Sequence, residues 1–147
     1  DVLNTTCGTA CAMDPENLGI TLIDPKFGLP YLCCICKGNI ERLYPSETRP
    51  PFKHDPDWEE GFDAIVRCTT EHELRHGRQV IRNRDCAECD AYKATKECLP
   101  TELEMCESQR CRDMLNKRIK KDAEMEEYYC NKCKDSDNPL WPIIRPR

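Results

Sequence analysis

The chain has 147 residues, of which 39% are hydrophobic and 33% charged, with a net charge of −5. The length fits one domain, and the acidic balance excludes the basic stripe of a general nucleic-acid binder. No run approaches the roughly 18–20 apolar residues that a membrane span needs, so no membrane span is expected.

Thirteen cysteines in so short a chain point to a disulfide scaffold and a secreted, extracellular setting. No signal-peptide pattern opens the chain, which fits a processed form. Asn4-Thr5-Thr6 is a sequon, so Asn4 is a candidate glycosylation site. Thirteen is odd: six pairs leave one thiol, for a metal, for an intermolecular bridge or free. A monomer is expected, with a disulfide-linked dimer as the alternative. Cys86-x-x-Cys89 and Cys130-x-x-Cys133 have zinc-knuckle spacing, but among so many cysteines they are read as disulfide partners.

In chain order, residues 1–18 read as an irregular stapled arm. Ile20–Ile23 and Tyr31–Cys36 read as strands, and alternation sends Cys34 and Cys36 to one face and Cys33 to the other. Ile40–Tyr44 reads as a third, edge-like strand. Residues 45–57 carry four prolines and read as a loop. Asp57, with Glu60 three residues on, is a capping-box start for a long helix from Trp58 to Val80. Its apolar stripe is Trp58, Phe62, Ile65, Thr69, His72, His76 and Val80, at helical spacing. Asp85 and Glu88 form a second capping box, for a helix over Cys86–Cys98 that ends at Leu99-Pro100. Thr101 caps a third helix through Cys106 and Cys111, and a fourth segment spans Arg112–Tyr129 and can continue it. The apolar, proline-punctuated tail reads as extended and pressed onto the body. The whole is expected to be α+β: a mainly helical, disulfide-stapled single domain over 1–147. It would have N-terminal strands and a proline-rich loop in 1–57, a helix pair in 58–98 and a cysteine-rich helical part with the tail in 99–147.

The chemistry-bearing motif is His72-Glu73-Leu74-Arg75-His76, an H-E-x-x-H on the buried side of the long helix. Histidines at i and i+4 share a face and can bind one zinc ion, and the glutamate between them can take a proton from the bound water. Two core histidines satisfied by carbonyl groups would give the same spacing without a metal. A catalytic zinc needs a third protein ligand. His54 lies in the loop before the helix, and no histidine follows His76. Asp85 is better used as a cap. Glu88 and Asp90 sit about 200° apart around their helix, so only one can face the histidines. Glu88 shares its side with Ala91 and Tyr92 and is preferred, with Asp90 in reserve. Tyr92, Tyr128, Tyr129 and Arg75 are candidates for stabilising an oxyanion.

His72-Glu73-Leu74-Arg75-His76 followed by Glu88-Cys89-Asp90-Ala91-Tyr92 resembles the gluzincin branch of the zincin metallopeptidases, over roughly residues 58–98. In that branch the third ligand is a Glu on a later helix, often in a Glu-x-x-Ala pattern. The resemblance implies a zinc cofactor held by His72, His76 and Glu88, a catalytic Glu73, and a peptide or protein substrate. The rival reading is a non-enzymatic disulfide-rich toxin, effector or receptor-binding module, which includes a degenerate zincin that only binds.

Overall fold

The structure, a computed structural model, describes residues 2–46, 55–80, 83–134 and 143–144, with the side chains of 2–5 and 143–144 excepted. It is mainly helical with a small antiparallel sheet. The Asn4 side chain and His54 lie outside what is described.

The N-terminal arm is helical, not irregular: α1 runs Val2–Met13. Its few apolar residues gave no helical signal, and what holds it is covalent. Cys7 bridges Cys34 and Cys11 bridges Cys36. An i, i+4 pair on a helix rises about 6 Å. An i, i+2 pair on one strand face spans roughly 6.7 Å. The two bridges therefore lie side by side.

The two expected strands, β1 (Gly19–Asp24) and β2 (Leu29–Ile35), pair as an antiparallel hairpin, with Ile20 opposite Cys34 and Thr21 opposite Cys33. Its turn closes through Gly28 N–H to Asp24 O at 2.8 Å, and Gly28 takes a φ of 66°, open to glycine without strain. Alternation holds: Cys34 and Cys36 face α1, and Cys33 is left as the one free thiol.

The expected third strand is a helix, α2 (Lys37–Leu43). Ile40 and Tyr44, both buried, are four apart and form one helical face towards the core. Asn39 in the first turn reaches the carbonyl oxygens of Cys11, Asp14 and Asn17 at 2.8–3.1 Å, closing the end of α1.

The long helix α3 (Pro56–Gly77) begins two residues earlier than expected. Asp55, not Asp57, is the cap and accepts from Asp57 N–H at 2.9 Å, with Pro56 in the first turn, where no donor is lost. Glu60 is freed from capping its own helix. It accepts instead from Glu107 N, Ser108 N and Ser108 Oγ at 2.8–3.1 Å, at the start of α6 (Gln109–Lys134). Gly61 serves close packing: a Cβ there would lie 2.6 Å from Met114 Sδ of α6. After Gly77 the chain turns into β3 (Gln79–Val80), which pairs with β4 (Ile143–Ile144) of the tail, as an extended, docked tail requires.

α4 (Arg84–Thr95) is capped by Asn83, whose side chain accepts from Cys86 N–H, and not by Asp85. α5 (Cys98–Met105) holds Pro100 in its first turn, so that proline begins a helix where a stop was expected. Thr101 is not the cap; its hydroxyl donates back to Glu97 O at 2.7 Å. α5 and α6 are separate helices, broken at residues 106–108 where Cys106 bridges Cys111. The two C-x-x-C segments cross-link α4 to α6, Cys86 to Cys133 and Cys89 to Cys130. Pairing in opposite order along the chain shows that these helices run antiparallel. The core gathers Leu18, Ile40, Tyr44, Trp58, Ile65 and Leu115 around α3 and α6. Among the described residues no helix is long and apolar enough to cross a membrane.

Candidate metal centre

α3 carries His72, Glu73 and His76 into a cavity of about 510 Å³. The other walls are β1, α4 and one face of α6 at Arg118, Asp122, Met125 and Tyr129. Spacing on α3 aligns the two imidazoles, with Nε2 atoms 3.1 Å apart. Glu88 of α4 meets both: Oε2 is 3.2 Å from His72 Nε2, and Oε1 is 3.1 Å from His76 Nε2. The three residues can each offer one ligand atom with all of these within 4.8 Å of one another. Tetrahedral zinc with bonds near 2.0–2.2 Å separates its ligand atoms by about 3.3 Å. The donor set, two imidazoles and a carboxylate, therefore fits zinc in both chemistry and spacing.

Asn83 as cap explains why Glu88 is available. With the cap at 83, position 88 falls beyond the capping-box position and has no backbone N–H to serve. Burial raises the Glu88 pKa, but hydrogen bonds from His72 and His76 outweigh it and hold the carboxyl well below the usual range. Burial lowers the His76 pKa, but Glu88 and then Glu73 outweigh it, so the imidazole holds its proton to a higher pH than usual.

Asp90, the reserve ligand, is turned away and engaged elsewhere. Arg75 binds it in bidentate fashion at 2.8 and 3.0 Å, and Gln79 Nε2 donates to it at 2.7 Å. Burial works against its charge, but Arg75 outweighs burial and keeps its pKa low. The same pairing removes Arg75 from the candidates for an oxyanion. Tyr128 is exposed and lies off the cavity, while Tyr92 and Tyr129 line it. The Tyr92 ring meets the His72 ring edge-on at 4.5 Å, and Tyr129 stacks on Tyr92 at 6.0 Å. Burial, then the Glu88 charge, push the Tyr92 hydroxyl pKa up, so it stays protonated and can donate.

Glu73 is buried, and burial raises its carboxyl pKa against the lowering effect of the two histidines. Thr21 Oγ1 donates to its Oε2 at 2.5 Å. Gly19, two residues earlier on β1, lies so close that a Cβ would stand 2.7 Å from Glu73 Cγ and Oε1. Neither contact is marked in the sequence, because both depend on how the hairpin lies across α3. Cys33 Sγ donates to Glu73 O at 3.4 Å and is outside the ligand cluster, so the odd thiol does not plug the site.

No protein-family model, no curated protein and no solved structure matches the chain, and the site therefore stands on its own geometry.

Proposed function

We propose that the protein is a secreted zinc metallopeptidase of the zincin kind, and that His72, His76 and Glu88 hold the metal. The observation that carries this is the convergence of Glu88, from a separate helix, on the paired Nε2 atoms at 3.1–3.2 Å. Six disulfides support an extracellular setting. Zinc, when bound, supplies Lewis acidity and a water whose pKa is lowered towards about 7.

The chain's own residues would do the rest. Glu73 takes the proton of the attacking water, and its raised pKa suits it to return that proton to the leaving amine. Thr21 holds the Glu73 carboxylate from the other oxygen. Tyr92 or Tyr129 would donate to the developing oxyanion. The substrate would lie along β1. Cys36 N–H donates to Leu18 O, so in this register Ile20 and Leu22 face β2. The backbone groups of Gly19 and Thr21 then point to the open edge, which no third strand covers among the described residues. An extended peptide can pair there, beside the cavity that Gly19, Thr21 and Glu73 line.

The deciding experiment is metal analysis of zinc-loaded, dialysed protein together with cleavage of a peptide mixture. One zinc per chain and hydrolysis abolished by a chelator are expected. A chain that retains no zinc would overturn the reading and leave a non-enzymatic binding module. The pH course is a further check. Zinc must displace the proton that Glu88 and Glu73 help His76 to hold. Zinc affinity should therefore climb with pH through about 6.5 and continue to climb above it. Titration with a competing chelator at several pH values measures this; affinity flat from pH 6 to 8 would contradict it.

A further inference from the structure

We propose that Gln79 sets the orientation and tautomer of His76 for metal binding, an inference that rests on the zinc reading above. Gln79 has no exposed surface. Its side chain makes three contacts: Oε1 lies 2.8 Å from His76 Nδ1, and Nε2 lies 3.2 Å from Ala87 O and 2.7 Å from Asp90 Oδ2.

A carboxamide can be rotated end for end, so its direction must be argued from its partners. Ala87 O is a carbonyl and can only accept. Asp90 is held as a carboxylate by the two-pronged contact from Arg75 and also only accepts. Both contacts need the NH2 group, which has two hydrogens to give. The reverse orientation would set Oε1 against two acceptors in a buried place, with no hydrogen between them. The oxygen therefore faces His76, and His76 must carry a hydrogen on Nδ1 to meet it. That leaves the Nε2 lone pair for the metal, on the side where His72 and Glu88 converge.

The backbone of Gln79 is fixed as well. It lies opposite Ile144 in the β3–β4 pair, so the C-terminal strand helps to hold the amide under the imidazole. The order of dependence is Arg75 to Asp90, Asp90 to Gln79, and Gln79 to His76. The partner is an uncharged amide, so it aims the ring without adding a second negative charge beside Glu88. Gln79 touches neither metal nor substrate, and its role is positioning.

The test is zinc affinity by chelator competition and the visible spectrum of the cobalt-substituted protein, on wild type and the folded Gln79 variant. Gln79→Leu keeps the volume and removes the acceptor; zinc affinity should fall about 10–100-fold and the cobalt spectrum should change. If Gln79→Leu does not fold, Gln79→Asn, too short to span His76 and Asp90, carries the same expected loss. Wild-type zinc affinity in the folded single variant would overturn the inference. A wild-type chain that binds no zinc would instead overturn the metal reading, and this inference with it.

Discussion

Glu73→Gln should lower kcat for peptide hydrolysis by about 10²–10⁴-fold, the range for losing a general base, and leave zinc affinity within a few-fold of wild type. The split follows from position. Glu73 is one residue round α3 from His72 and is not among the three residues that could hold the ion. The amide keeps the shape of the carboxylate, and its oxygen can still accept from Thr21 Oγ1, so the fold has no reason to change. What it cannot do is accept a proton from water. Gly19→Ala is the companion experiment. The added methyl would press on Glu73 Cγ and Oε1 from 2.7 Å and displace the carboxylate without touching a ligand. Misplacement of about 1 Å can cost as much as 10²-fold, so this variant should fall between wild type and Glu73→Gln while still binding zinc. Full activity in Glu73→Gln would remove the general-base role. Loss of zinc in Gly19→Ala would show that the hairpin supports the ligands as well as the base.

Replacing Cys86 and Cys133 by serine should destabilise the protein by about 2–5 kcal/mol, the usual loss for a native disulfide, and lower the melting temperature by on the order of 10 °C. The site should weaken with it. Glu88 lies between Cys86 and Cys89, and both of these are fully buried bridges to α6. α4 also touches α3, so α6 holds the helix that brings Glu88 to the histidines. Losing one bridge leaves Cys89–Cys130 to keep the register, and zinc affinity should drop measurably. Losing both should drop it further and end cooperative unfolding near the wild-type temperature. Cys106→Ser/Cys111→Ser is the control: that bridge closes a short loop far along the chain from Glu88, and zinc affinity should not move. Equal loss of zinc in the control and in the α4–α6 variants would mean that general stability, not the placement of Glu88, is being read.

The long helix was legible because its stripe from Trp58 to His76 repeats at helical spacing over five turns, and burial of one face enforces that spacing whatever the caps do. The two strands of the hairpin were legible for the same reason, through β-branched runs and the alternation that separates Cys33 from Cys34; their pairing was not. Caps were not. Asp57, Asp85 and Thr101 all fit a local pattern, yet Asp55 and Asn83 cap α3 and α4, and Glu60 serves α6 from 47 residues away in the chain. A capping box stabilises by about 1 kcal/mol, little enough for a tertiary contact to redirect it. Ile40–Tyr44 failed as a strand because a five-residue segment has no period long enough to decide, and packing against α1 and the core decided it instead.

The sequence by itself determined the histidine-bearing face of α3, because two histidines four apart on a buried stripe must point the same way. It also narrowed the third candidate ligand to Glu88, preferred, or Asp90, because the two cannot share a face. Only the tertiary structure chose between them. Arg75 and Gln79 claim Asp90, Asn83 frees Glu88, and two disulfides to α6 set α4 at the distance where Glu88 meets both imidazoles. The same holds for Thr21, Gly19 and Gln79. Their roles come from contacts across the fold, and such contacts leave no period or spacing in the chain for a reader to find.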